Sequence, residues 1–158
     1  MSGSGHSHKK PEMDAVLEKQ RALVDLYLVG ALLPLREMDS LSRPVVRTAC
    51  QLFVLGAVDI VRSVNKLEWA QFIVLLDRVL LDQQLAFPEE STARFVERAG
   101  DAARASSVVA DIIDEGAKSL RSWVAHRDAE APLDMMRMTL YAQKHAEQLS
   151  DAMSRSFP

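Results

Sequence analysis

Three kinds of side chain in this sequence could do chemistry: histidine, an aspartate in an apolar setting, and a single cysteine. His145 falls on an apolar helical stripe with Met138, Tyr141 and Leu149. From there an imidazole could ligate haem iron or another metal, with methionines close by. It is the one candidate cofactor ligand in the chain. No second ligand stands at a fixed spacing from it, so it reads first as a core or interface histidine, and neither a cofactor nor a metal is expected. His126 lies near a helix C-terminus, where a cation offsets the dipole. His6 and His8 make too short a pair to hold a metal strongly.

Asp77 sits near Ile73, Leu80 and Leu81 on a helical wheel, away from the polar strip of its helix. An unpaired carboxylate buried there would be too costly, so Asp77 is expected to be buried and bonded to a basic or hydroxyl side chain, with Arg47 or Arg62 as the leading partner. That implies a structural ion pair. An acid without a base or nucleophile does not make an active site. Cys50, flanked by Ala49, Leu52 and Phe53, is the only cysteine and reads as a small buried thiol in a reducing compartment. Inward Glu-x-x-His pairs, a zinc H-E-x-x-H, a phosphate loop, a dinucleotide fingerprint and a nucleophile elbow are all missing. An enzyme is not expected.

The elements that must position these residues all read as helices. Pro11 with Glu12 and Asp14 signals a helix over about 11–33 that should end or kink at Pro34. Ser42 and Pro44 open a second, over about 42–64, with a narrow polar stripe of Arg47, Gln51 and Arg62. Such a helix is central to a bundle or faces a partner. A third runs over about 67–85, with Trp69, Phe72, Leu76 and Leu80 on one side and Val74 and Leu81 on the other. Phe95, Ala102, Val109, Gly116 and Trp123 then recur every seven residues, with Ala99, Ser106, Ile113 and Leu120 as a second row. The spacing predicts one long helix over about 88–127, with Gly100 or the Ser106-Ser107 pair able to bend it near 100–107. Pro132 leads into a last helix over 133–155, where Met135 and Met138 line the main apolar face and Leu133, Met136 and Leu140 the opposite one. Lone glycines at Gly30, Gly56, Gly100 and Gly116 signal helix crossings.

The fold class is therefore all-α, a bundle of five or six helices. A chain of 158 residues suits one domain, read here as 11–158 behind a disordered tail at 1–10. A net charge of −3, with no clustered Lys and Arg on a face, disfavours nucleic acid. The longest charge-free internal stretch, Thr48 to Val58, is too short for a membrane span, and the N-terminus lacks the apolar core of a secretory signal. A cytoplasmic location follows. Excess apolar helix surface without chemistry points to a non-catalytic interaction protein, an adaptor, chaperone-like or regulatory module, that forms a homodimer or higher oligomer and binds another protein. Leu55 and Val58 in the second helix, and Met136 and Leu140 in the last, are the candidate interaction residues. The alternative is a ligand-sensing bundle that holds a haem, a lipid or another small apolar molecule between the second, third and last helices.

Overall fold

The computed structural model describes residues 3–155, with side-chain surroundings from Met13 onward. Among the described residues there are seven α-helices, one short 3-10 turn and no strand. The all-helical class holds. The count exceeds five or six because two expected helices are each broken in two.

The first helix, α1 (Gly3–Glu37), passes through both prolines. It begins ahead of Pro11: the backbone from Gly3 is helical, and positions 1 and 2, and the side chains of His6 and His8, lie outside the described residues. Pro11 was read as a boundary because proline favours the first helical turn, yet the helix runs on both sides of it. Pro34 does not end α1 either. The carbonyl it leaves without a donor is that of Gly30, an exposed residue, where water can replace the missing N–H. The helix runs on to Glu37 instead, and Asp39, with φ 54°, turns the chain into a 3-10 turn at Ser40–Ser42.

Pro44 at the first helical position opens α2 (Pro44–Asn65), which ends where Lys66 adopts φ 53°. It is the central helix, packed chiefly on α5 and also on α3 and α6. Its length and composition would suffice to cross a membrane, which the charge-free stretch had not indicated; in this fold 67% of its most apolar window is buried inside the bundle. The short helix α3 (Trp69–Asp82) follows, with the Gln71 side chain accepting from the Glu68 backbone at 2.9 Å.

The expected long helix over 88–127 is corrected to α4 (Thr92–Ala105) and α5 (Ser107–His126), separated by Ser106 at φ −138° and ψ 121°. Its start also moves, from the Pro88 turn to Thr92, where Ser91 Oγ caps Arg94 N at 3.2 Å. Serine competes with backbone hydrogen bonding and tolerates such a break. Beyond it the partners change: α5 lies on α2, whereas α4 leaves to pack on α3 and α7. The last expected helix is likewise α6 (Leu133–Lys144) and α7 (Ala146–Ser154), broken at His145.

The α2–α5 crossing is the tightest contact described. A Cβ on Gly56 would lie 1.8 Å from the Ile113 carbonyl oxygen, and one on Gly116 would lie 2.0 Å from that of Phe53. Both glycines are needed because the two backbones touch. Around the crossing, Phe53, Tyr27, Phe72 and Phe95 are fully buried and anchor one continuous core.

Candidate interaction surface

Leu55 and Val58 are not on an accessible face. They are 6% and 0% exposed, enclosed by the helices around α2. The expectation that they form a docking face is corrected for a physical reason: the nearer part of the polar stripe, Arg47 and Gln51, is turned onto the backbone of the α3–α4 linker. Gln51 is buried and donates Nε2 to the Leu85 carbonyl at 2.9 Å. Arg47 Nη1 and Nη2 donate to the carbonyls of Gln84 and Ala86 at 3.0 and 2.9 Å. Arg36 Nη2, from α1, takes the carbonyl of Gln83 at 2.8 Å. Four consecutive carbonyls of the α3–α4 linker are thus held by three side chains, where the end of α3 would otherwise leave them unpaired. Sequence reasoning missed this clasp. Its only signal is Arg47 and Gln51 one turn apart in an otherwise apolar helix.

The other pair lies at the surface. Leu140 is 60% exposed and Met136 half-buried, with exposed Leu133 one turn before Met136 on α6. Beside them α1 presents Ala22, Leu26, Val29 and Leu33, all exposed. These four recur at steps of four, three and four residues, the spacing of a coiled-coil seam. The two helices are close there, since a Cβ on Gly30 would come within 4.0 Å of Pro132 Cβ. Both of these touching helices thus present exposed apolar residues. The opposite side of α1, with Val24, Tyr27, Leu28 and Ala31, is inside.

Asp77 is exposed rather than buried, which corrects the expected burial. It is bonded to a hydroxyl, accepting from Thr92 Oγ1 at 2.7 Å. Neither proposed arginine reaches it: Arg47 holds the linker, and Arg62 pairs with Asp59 at 2.8 Å and lies over the Phe72 ring at 5.4 Å. Of the apolar neighbours that suggested burial, only Leu80 is covered: Leu81 is exposed and Ile73 half-buried.

His145 is half-buried at the α6–α7 break, with its ring 4.8 Å from that of Tyr141. Tyr141 in turn donates to Asp111 Oδ2 at 2.8 Å, and burial together with that carboxylate pushes its phenol up. Among the described residues no three His, Cys, Asp or Glu side chains gather as a metal site. Cys50 is fully buried, and burial pushes its thiol up to about 12. A thiol so protonated is a poor nucleophile. Inside the bundle the Tyr27 hydroxyl meets Ser119 Oγ, which donates to the Ala131 carbonyl at 2.8 Å. This ties α1, α5 and the approach to α6 together, and burial raises the Tyr27 phenol well above its ordinary value.

An open groove of about 400 Å³ runs between α1, α2 and α5, with Leu23, Ile60, Val64, Leu120 and Val124 on its walls and Arg121 at its edge. It is not where the sequence placed a ligand, between the second, third and last helices. Comparison with protein families, with curated proteins and with solved structures finds no match for this chain.

Proposed function

We propose that the protein is a non-catalytic helical interaction module, of the adaptor, chaperone-like or regulatory kind, that self-associates through the outer faces of α1 and α6. The observation that carries the reading is the exposed seam of Ala22, Leu26, Val29 and Leu33 beside Leu133 and Leu140. Single exposed leucines need no explanation, but a periodic row of them on α1, with further exposed leucines on the touching helix α6, does. The spacing argues for what covers it: a seam of period 3.5 is complementary to another helix of that period, and a second α1 supplies one by twofold symmetry. The face on α2 is no part of this proposal.

Light scattering or sedimentation at micromolar concentration tests it. The protein should run as a dimer, and the double variant Leu26→Glu, Leu33→Glu should run as a folded monomer. A monomer in the unaltered protein rejects self-association. A second reading, binding of a small apolar molecule, is favoured by the groove between α1, α2 and α5. Native mass spectrometry showing a retained ligand, lost in Val64→Glu, would favour it. The cytoplasmic location belongs to the same proposal, and the buried thiol suits a reducing compartment.

A further inference from the structure

At the junction of α1 with the end of α3, two carboxylates compete for one guanidinium. Arg21 Nε and Nη2 donate to Asp82 Oδ2 and Oδ1 at 2.6 and 2.7 Å, and the same Nε is 4.0 Å from Asp25 Oδ2. Asp82 therefore takes the fork of the arginine, and Asp25 stands second. Asp25 Oδ1 accepts from Gln83 Nε2 at 2.9 Å. Gln83 is buried and fixed in orientation, because its amide oxygen accepts from Arg36 Nη2 at 3.2 Å. Asp25 and Asp82 are thus two acids gathered on one guanidinium. Where two carboxyl groups share a site, a proton on one of them relieves their repulsion.

We propose that Asp25 carries that proton, so that the α1–α3 junction is a clasp that tightens in weak acid and slackens when the proton leaves. The charged groups facing the pair are Glu18 and Arg21 from α1 and Arg78 from α3, with Arg36 acting through Gln83; Arg78 is itself held by Glu18 at 3.0 Å. Arg47, from α2, is committed to the adjoining carbonyls. Both acids keep about a quarter of their side-chain surface in water, 23% and 25%, so the proton can exchange.

The assignment of the proton to Asp25 follows from the environments. Burial first, and then the neighbouring Asp82 carboxyl, push Asp25 up to about 6, against the opposing pull of Gln83 and Arg21. The Arg21 fork holds Asp82 down at about 2. A free aspartate titrates near 3.9. Between about pH 4 and 6 the folded protein thus binds a proton at Asp25 that the unfolded chain has released, so stability falls as pH rises through this window. The Asp82 contribution has the opposite sign: it is complete above about pH 4 and is lost as pH falls toward 2. This pair alone therefore places its greatest stabilisation in weak acid.

The test uses the whole chain. In Asp25→Asn the amide copies the neutral acid, its oxygen accepting from Gln83. The unaltered protein should lose several degrees of Tm between about pH 5 and pH 7.5, and Asp25→Asn should lose less and lie above it at the higher pH. Carbon-13 titration of the carboxyl groups should show an Asp25 inflection near pH 6 that moves toward the ordinary value in Asp82→Asn. An Asp25 inflection near pH 4, or an unchanged pH slope in Asp25→Asn, overturns the proposal. The titration of the unaltered protein decides the matter even where a variant fails to fold. None of these outcomes depends on self-association.

Discussion

Asp25 and Asp77 are both carboxylates among apolar neighbours, and their surroundings separate them. Asp25 faces inward against a fixed amide and a second acid. Asp77 faces water and holds only the hydroxyl of Thr92. Asp77→Ala should therefore cost about 1 kcal/mol, the scale of a single exposed hydrogen bond. Urea denaturation near pH 7 measures it. A loss above about 3 kcal/mol would restore the buried ion pair that the wheel suggested. That error is instructive, because a wheel ranks positions by their apolar company and assumes the company is covered. Leu81 is not, and Ile73 is only half covered. The partners that matter here, Arg21 to Asp82 and Arg36 to Gln83, are separated by 61 and 47 residues, and no local spacing announces them.

At the scale of elements, apolar periodicity located every helix but not every end. The heptad from Phe95 to Trp123 continues in register across Ser106, so it cannot report that one residue in between is extended. The break at His145 is hidden in the same way. Lone glycines were more informative: Gly56 and Gly116 mark the crossing of α2 and α5, whereas Gly100 has nothing within 4 Å of where a Cβ would be. Gly56→Ala and Gly116→Ala should each destabilise by about 1 to 3 kcal/mol or more through overpacking against backbone that cannot yield, and Gly100→Ala should not. Thermal denaturation of the three variants checks the contrast. The linker clasp gives a second prediction for this scale. Arg47→Met keeps the apolar stem but leaves the carbonyls of Gln84 and Ala86 without their donor, a loss of about 1 to 3 kcal/mol. Hydrogen exchange should accelerate first at the end of α3 and in the linker.

For the whole molecule, the surplus of apolar helix surface was legible in the sequence, but its placement was not, because placement depends on which helices enclose which. The long apolar helix α2 is spent mostly on the core. The exposed apolar residues lie on α1 and α6, with others on α3 and at Val64 and Val124. If two copies bury the α1 and α6 faces against each other, folding and association are linked, and Tm should rise with protein concentration. The double variant Leu26→Glu, Leu33→Glu replaces side chains that are 66% and 52% exposed in the single chain, so its effect on the fold of one copy should be small, within about 0.5 kcal/mol per site. Its Tm should then be independent of concentration and match that of the unaltered protein at high dilution. Leu140→Glu, on α6, should weaken the dimer in the same direction. A concentration-independent Tm in the unaltered protein would remove the linkage, and with it the reason to regard the α1–α6 surface as a contact between copies.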